Sequence, residues 1–299
     1  MNRVAVNGVE LAYESFGDAA HPAILLVMGL GTQMIAWPDA MIEGLVARGY
    51  RVIRFDNRDI GQSTWFRGVR GPHPLWLLAA TRFGFRPAVP YRLTDMAQDA
   101  IGLLDALGVD RAHVVGASMG GMIAQNVAAL APDRVLSLTS IMSSSGASGL
   151  PGPTPELRAR MLRRRAVDAS RDTVIGEIVE TQRGISYPDP ARDPDAFRDY
   201  AGRAYDRGYN PEGGRRHLLA VIADGSRVDR LKRIAAPTLV IHGGADPLVP
   251  AACGEDTARH IANAEFVLID QMAHDLPPLQ VGRMTGLIAD LADRAAAAA

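Results

Sequence analysis

The sequence predicts an α/β fold whose sheet is mostly parallel, with helices on both faces and an antiparallel start. Short apolar runs recur along the chain, and helical patterns lie between most of them. The first two runs are joined at Asn7 and Gly8, a tight-turn pair that predicts a β-hairpin. The eight runs that we interpret as strands are residues 4–6, 9–16, 23–28, 51–55, 112–115, 135–142, 238–242 and 265–270.

One long segment interrupts this alternation. Residues 143–232 begin with the Ser-, Gly- and Pro-rich stretch SSSGASGLPGPTP and continue with helical, arginine-rich sequence. We therefore expect a core at 1–142, a helical cap inserted at 143–232, and the rest of the core at 233–299. A second irregular segment, 63–91, is long for a loop, and we expect it to form short helices under the cap or to lie near a pocket.

The composition predicts a globular protein with a large core, because 47% of the 299 residues are hydrophobic. The 32 basic and 33 acidic side chains leave a net charge of -1, which offers no field to gather nucleic acid or anionic lipid. The single cysteine, Cys253, forms no internal disulfide, and the first residues carry no apolar block typical of a signal peptide. No apolar stretch reaches the roughly 20 residues that cross a bilayer. We therefore expect a cytoplasmic protein without nucleic-acid partners or a transmembrane segment, and a homodimer remains open.

The most informative motif is GASMG at residues 116–120, a GxSxG pattern. It follows the apolar run 112–115 and precedes a helical pattern that ends at Pro132. Between a strand and a helix, this pattern forms a sharp turn that exposes the serine hydroxyl above the sheet. We therefore interpret Ser118 as a nucleophile, the alternative being a serine that merely ends a strand in a glycine-rich loop.

Two further polar residues follow later strands of the predicted sheet. Asp246 lies in the loop after strand 238–242, and His274 lies in the loop after the last strand. A serine hydroxyl needs an imidazole to take its proton and an acid to hold that imidazole in the correct tautomer. The order serine, acid, histidine along the chain therefore predicts a catalytic triad of Ser118, Asp246 and His274.

Other residues compete for the acid and base roles. Asp256 and Asp275 are alternative acids, whereas the sixth strand, 135–142, is followed only by serines at 143–145. Of the six other histidines, His113 and His242 lie inside predicted strands, and His260 lies on a predicted helix. The sequence supports no placement near the serine for the other three, which are His21, His73 and His217. Only His274 follows the last strand, so it is the predicted base.

Acyl transfer also needs hydrogen-bond donors for the charge that develops on the carbonyl oxygen. We expect one donor to be the backbone amide of Met119, directly after the serine, and the other to be that of Leu30, in the loop after strand 23–28. Apolar residues near this loop and at the end of the sixth strand could line a pocket, although methionine and aromatic residues are more often core. The predicted pocket residues are Gly29, Met34, Trp37 and Met142.

Five segments carry a resemblance to a known family: VMGLG, RFDNRDIGQST, VVGASMGG, TLVIHGGADPLVP and MAHDLP. In this order they resemble the α/β-hydrolase superfamily, and within it the cap-bearing serine esterases and lipases that include the aclacinomycin methylesterase type. The resemblance covers most of the predicted core and fades in the cap. It implies the α/β-hydrolase fold, with a mostly parallel eight-stranded sheet flanked by helices and an inserted helical cap. It also implies a serine hydrolase that uses no metal and no organic cofactor.

The implied reaction is cleavage of a carboxylic ester, as in a carboxylesterase or lipase, on a small molecule with an apolar acyl or polycyclic group. Other functions on the same fold stay open: a methylesterase of a polyketide, a thioesterase, a lactonase, a carbon–carbon bond hydrolase, a cofactor-free perhydrolase, or a non-enzymatic ligand sensor. The chain departs from many relatives at Met28, where they have histidine, and at Gln271, where they have glycine. Relatives also have a charged turn like 56–59, and we expect an ion pair there to brace the loop.

Overall fold

In the computed structural model, which describes residues 1–162 and 169–297, eight strands form one sheet in the order β1-β2-β4-β3-β5-β6-β7-β8. The strands are β1 Asn2–Val6, β2 Val9–Phe16, β3 Ala23–Val27, β4 Arg51–Phe55, β5 Ala112–Ala117, β6 Val135–Ile141, β7 Thr238–Gly243 and β8 Glu265–Ile269. Each predicted run is a strand, and its ends differ from the prediction by at most two residues. The predicted α/β fold is confirmed.

Helices connect most of the strands. They are α1 Asp39–Ala47, α2 Pro74–Arg82, α3 Leu93–Ala106, α4 Met119–Leu130, α5 Pro155–Leu162, α6 Arg171–Ile185, α7 Ala196–Arg207, α8 Pro211–Asp224, α9 Val228–Leu231, α10 Ala252–Arg259 and α11 Pro278–Ala297. None of these helices, within the described residues, has both the length and the apolar content that a bilayer crossing requires.

The direction of the strands explains where functional residues can meet. The first two strands form the predicted hairpin, with positive φ angles at Asn7 (46°) and Gly8 (76°), and β2 pairs antiparallel with β4. From β4 onward every neighbouring pair is parallel. The carboxyl ends of β5, β7 and β8 therefore lie at the same edge of the sheet, which is where open α/β sheets bind their ligands.

The core lies in two layers, one on each face of the sheet. Alternation along β3 shows the division, because Leu25 and Val27 belong to the cluster that packs with α3 and α4. Ile24 and Leu26 belong to the cluster on the other face, which packs with α1 and α11. Helices on both faces account for the fully apolar sequence of this strand.

Helices α5 to α9 lie in the chain between β6 and β7, within the segment predicted as a cap. Two of them, α6 and α7, share a small apolar cluster of their own that includes Ile175, Val179 and Ala201. Of the predicted spans, residues 163–168 and 298–299 lie outside the described residues, and the boundaries 1–142, 143–232 and 233–299 stay a prediction. The irregular segment 63–91 contains α2, which packs against α8.

Candidate active site

Ser118 occupies a strained turn between β5 and α4. Its φ of 56° and ψ of -121° lie where non-glycine residues are rare, and such strain persists only when the surrounding structure enforces it. The two glycines of the motif allow the close packing around this turn. A Cβ on Gly116 would lie 2.1 Å from the carbonyl oxygen of Gly120, and one on Gly120 would lie 2.0 Å from that of Val27. The GxSxG pattern thus has the strand, turn and helix that a nucleophile elbow requires.

The predicted base and acid meet at this serine. The Nε2 atom of His274 lies 2.9 Å from Ser118 Oγ, and its Nδ1 atom lies 2.7 Å from Asp246 Oδ2. An ionised carboxylate only accepts hydrogen bonds, so Nδ1 of His274 carries the proton and Nε2 is free to accept the serine proton. The three residues therefore form a continuous hydrogen-bonded chain.

The carboxylate of Asp246 is held in place and kept ionised. Its Oδ1 atom accepts the backbone amides of Leu248 at 2.9 Å and Val249 at 2.8 Å. Burial alone would raise the pKa of Asp246, but the charge of His274 and the surrounding hydrogen bonds lower that pKa to about 2. The acid is therefore charged across the neutral pH range.

Backbone contacts bring the acid loop and the histidine loop together. The amide of Ala245 donates to the carbonyl of Met272 at 3.1 Å, and that of Gly244 donates to the carbonyl of Ile269 at 2.9 Å. The competing acids have other partners: Asp256 accepts the hydroxyl of Ser145, and Asp275 pairs with Arg192. Neither of them is bonded to His274.

The loop after β3 lies against the serine. A Cβ on Gly29 would lie 3.2 Å from Ser118 Cβ and 3.7 Å from its Oγ, so the backbone of this loop borders the nucleophile. Met119 is the first residue of α4, where an amide has no intrahelical acceptor. The expected donors, Leu30 and Met119, are therefore on segments that border Ser118.

The other predicted pocket residues lie in packed surroundings. Met34 and Trp37 are 0% and 1% exposed, and Met142 is 5% exposed. Trp37 and Met142 belong to the apolar cluster on the α1 and α11 side of the sheet, and the Met34 amide donates to Asp56 Oδ1 at 2.8 Å. A role in binding substrate stays a prediction for these residues.

The charged turn 56–59 is braced by ion pairs, and their partners lie far along the chain. Within the turn, Arg58 pairs with Asp99 of α3 at 2.6 Å. The two aspartates bind arginines of α7 and α8, since Asp56 pairs with Arg207 at 3.1 Å and Asp59 with Arg216 at 2.7 Å. These ion pairs therefore fasten α7 and α8 to the sheet.

His217 on α8 contributes a contact that the sequence did not reveal. Its Nδ1 atom accepts the amide of Gly31 at 3.2 Å, and its Nε2 atom donates to the carbonyl of Arg58 at 2.8 Å. Burial lowers the pKa of His217 to about 4, which keeps the ring neutral so that one nitrogen can accept while the other donates. The ring thus holds the loop that contains Leu30.

The histidine loop is held by the last residue of α6 and by the segment between α6 and α7. The amide of His274 donates to the carbonyl of Ile185 at 2.9 Å. The next residue, Asp275, accepts the amide of Tyr187 at 3.2 Å and forms an ion pair with Arg192. Both loops that border Ser118 therefore depend on contacts from helices between β6 and β7.

A metal site does not emerge from the described residues, in which no group of three or more His, Cys, Asp or Glu side chains could hold an ion. Cys253 is buried and its Sγ atom lies 3.4 Å from the carbonyl of Pro151. The groups that surround Ser118 Oγ in the described structure are the imidazole of His274, which is bonded to the carboxylate of Asp246, and the backbone of the loop at Gly29.

Comparison with known proteins gives a consistent result. A family model described as the alpha/beta hydrolase fold matches residues 22–278. The chain is 30% identical over 286 residues to rhodomycin D methylesterase of Streptomyces peucetius, covering 90% of each protein. It is 25% identical over 262 residues to 3-oxoadipate enol-lactonase 2 of Acinetobacter baylyi, covering 88% of this chain and 85% of that protein. A thermophilic esterase structure from Thermogutta terrifontis superposes with a TM-score of 0.73 at 26% identity, covering 99% of each chain.

Proposed function

We propose that Ser118, His274 and Asp246 carry out ester hydrolysis in this chain, which belongs to the α/β-hydrolase fold family and is an ester-acting hydrolase. The observation that carries the proposal is the hydrogen-bonded chain from Ser118 Oγ through both ring nitrogens of His274 to Asp246. A neutral imidazole with its free nitrogen at the hydroxyl is the arrangement that a general base requires.

The first half of the reaction forms an acyl-enzyme. His274 Nε2 takes the proton of Ser118 as Oγ attacks the ester carbonyl, and the carbonyl oxygen becomes an oxyanion. The amides of Leu30 and Met119 stabilise that oxyanion. His274 then returns the proton to the departing alkoxide oxygen, so an alcohol leaves and the acyl group stays on Oγ.

The second half uses the same groups with water as the nucleophile. His274 takes a proton from water, whose oxygen attacks the acyl carbonyl and forms a second oxyanion at the same amides. When this intermediate collapses, the proton passes to Ser118 Oγ and a carboxylic acid is released. Asp246 stays ionised throughout and stabilises the imidazolium that forms in each half.

The proposed substrate is a small-molecule carboxylic ester with an apolar acyl or polycyclic group. The names of the relatives support an ester, since they include a methylesterase and an enol-lactonase. We place the protein in the cytoplasm, with helices of 143–232 as a cap over the site and without a cofactor. A carboxylesterase activity on methyl esters is the finer proposal, and a panel of methyl esters and of acyl chain lengths tests it.

Replacing the nucleophile tests the mechanism directly. Ser118→Ala should lower kcat on a p-nitrophenyl ester by about 10⁴-fold or more, because the attacking oxygen is lost. Ser137→Ala is the matched control, since Ser137 Oγ also bonds a histidine, at 2.8 Å from His113 Nδ1, but lies within β6. A fluorophosphonate should label the wild type and the control and leave Ser118→Ala unlabelled. Turnover by Ser118→Ala at the wild-type rate would rule the mechanism out, and labelling without turnover in the wild type would indicate a ligand sensor.

A further inference from the structure

An exposed apolar surface lies on α2 and on the segments that flank it. Of the eleven large apolar side chains that the described residues expose, six fall within residues 69–85. We call these six the docking face; they are Val69, Leu75, Trp76, Leu78, Phe83 and Phe85. Large apolar side chains concentrated on one surface in this way mark an interaction site more often than isolated ones do.

The geometry of α2 explains how the docking face forms. Leu77 is fully buried and supports the helix against α8, whereas Leu75 and Leu78, three residues apart, are 52% and 55% exposed on the opposite side. The helix therefore presents apolar side chains to solvent as well as to the core. Beside it lies an open groove of about 500 Å³ lined by Trp76, Ala79, Ala80, Phe83, Phe85, Arg86 and Pro87.

The charged side chains of the segment that carries the docking face all have the same sign. Residues 60–94 contain five arginines and no aspartate or glutamate, although the whole chain has a net charge of -1. Four of the arginines are exposed and form no ion pair with any described acidic side chain; they are Arg67, Arg70, Arg82 and Arg86. The expectation that the chain has no field for anionic lipid rests on the total charge, and the total conceals this local excess.

We propose that the docking face binds the surface of an anionic lipid bilayer, with α2 lying in the plane of the interface. Trp76, Phe83 and the two exposed leucines of α2, Leu75 and Leu78, would enter the boundary between headgroups and acyl chains. The four arginines would meet the negative headgroups, and each basic residue near such a surface adds to the attraction. A contact with a second copy of this chain fits less well, because a twofold interface would bring like charges together.

Vesicle binding tests the proposal with the full chain. The wild type should co-sediment with vesicles of equal parts phosphatidylglycerol and phosphatidylcholine, less with phosphatidylcholine alone, and less as salt is raised. Leu75→Ser with Leu78→Ser should lower the partition coefficient roughly tenfold or more, because both side chains lose their transfer into the interface. Arg82→Gln with Arg86→Gln should lower it roughly tenfold on the anionic vesicles only.

Each variant has a matched control elsewhere on the surface. Leu130→Ser with Leu268→Ser removes two leucines that are 43% and 41% exposed, and Arg111→Gln with Arg233→Gln removes two exposed arginines outside residues 60–94. Both controls should bind vesicles as the wild type does. The thermal unfolding midpoint of every variant verifies folding independently of any enzymatic activity.

Four outcomes would overturn the proposal. The first is a wild type that stays in the supernatant with anionic vesicles, and the second is a loss of binding by the controls as large as that of the docking-face variants. The third is a wild-type dimer in sedimentation equilibrium that the Leu75 and Leu78 substitutions dissociate, which would assign the docking face to contact between copies of the chain. The fourth is a variant with Arg82→Gln and Arg86→Gln that binds both kinds of vesicle as tightly as the wild type does. That result would contradict the proposal, because the arginines would then contribute nothing to binding.

Discussion

Two serine–histidine pairs among the described residues have nearly equal distances and very different surroundings. His274 Nε2 lies 2.9 Å from Ser118 Oγ, and His113 Nδ1 lies 2.8 Å from Ser137 Oγ. Strand β5 links them, because His113 lies near its amino end and Ser118 follows its carboxyl end. The difference between the pairs shows which surroundings support the proposal that Ser118, and not Ser137, is a nucleophile.

The pair of His113 and Ser137, which we call the inner pair, lacks every feature that would activate its serine. His113 and Ser137 are 1% and 2% exposed, and the Nε2 atom of His113 has no hydrogen-bond partner among the described residues. No described carboxylate lies within ion-pair distance of its ring. Burial lowers the pKa of His113 to about 4, so the ring is a poor proton acceptor at neutral pH. This pair fills the core and holds two strands together.

The pair of His274 and Ser118, which we call the outer pair, has the features that the inner pair lacks. His274 has a carboxylate at its second nitrogen, and Ser118 is half-buried on a strained turn that opens away from the sheet. The backbone at Gly29 borders the hydroxyl, so the loop that carries one of the proposed oxyanion donors lies next to Ser118. The acid, the strained turn and the adjacent loop are the differences from which we infer that Ser118 is the reactive serine and Ser137 a structural one.

Removing the carboxylate of Asp246 should make the outer pair resemble the inner pair. Of the substitutions proposed for residues other than Ser118, it should lower activity the most. Asp246→Asn is expected to lower kcat by about 10⁴-fold, because the amide can donate to the ring and favour the wrong tautomer. Steady-state kinetics on a p-nitrophenyl ester measures this effect. Asp275→Asn is the control, since Asp275 pairs with Arg192 and is not bonded to the ring. An equal loss in both variants would mean that loop structure, and not the acid, is responsible.

Acid titration gives a second view of the same carboxylate. The pKa of Asp246 is lowered to about 2, below an unfolded value near 3.9, so its interactions stabilise the native state above pH ~4 and this contribution is lost as pH falls toward 2. The contribution is about 2 kcal/mol. Unfolding free energies of Asp246→Asn should therefore fall less between pH 4 and 2 than those of the wild type.

Loosening the loop with the oxyanion amide should have an intermediate effect. In His217→Leu the Gly31 amide loses its acceptor, and we expect kcat to fall about tenfold to a hundredfold with little change in KM, because the affected contact is to the transition state. Asn at this position can still accept from Gly31, whereas Gln reaches toward the Arg58 carbonyl. His217→Asn should therefore recover more of kcat than His217→Gln.

That ordering separates positioning from simple destabilisation. If His217→Leu lowers the unfolding midpoint and raises KM while kcat per folded molecule is unchanged, the ring only stabilises the packing of α8. If Gln restores kcat better than Asn, the contact with Arg58 matters more than the one with Gly31. Either result would contradict the role assigned to His217.

Sequence motifs next to predicted strands located Ser118 and His274, but they did not predict the contacts from α8 that hold the neighbouring loop. Ser118, Asp246 and His274 each follow a strand with a clear apolar run, so the parallel sheet brings them to one edge. The parallel topology alone accounts for their meeting. His217 could not be identified in this way, because its partners Gly31 and Arg58 lie more than 150 residues away and α8 has no distinctive motif.

The same reasoning explains why the sequence predicted charge and surface features only in part. The charged turn 56–59 was recognised, but the arginines that pair with its aspartates belong to α7 and α8. The spacing of apolar residues predicts which side of a helix is buried, but it does not predict that other apolar residues of the same helix are exposed. On α2, Leu77 is buried whereas Leu75 and Leu78 are exposed. Net charge averages over the chain and conceals the arginines of 60–94.

Altering the inner pair should change stability and leave activity intact. His113→Asn keeps a side chain that can hydrogen-bond the Ser137 hydroxyl and removes the titrating ring, so kcat and KM should match those of the wild type. The pKa of His113 is about 4 when folded and near 6.5 when unfolded, so the unfolded state binds more protons and stability falls as pH drops between these values. That single ring lowers the free energy of unfolding by about 3 kcal/mol between pH 7 and 4. Chemical denaturation at several pH values should therefore show that the unfolding free energy of His113→Asn declines less steeply with falling pH than that of the wild type. A loss of kcat in this variant would contradict the structural role, because it would mean that the inner pair is coupled to Ser118 through β5.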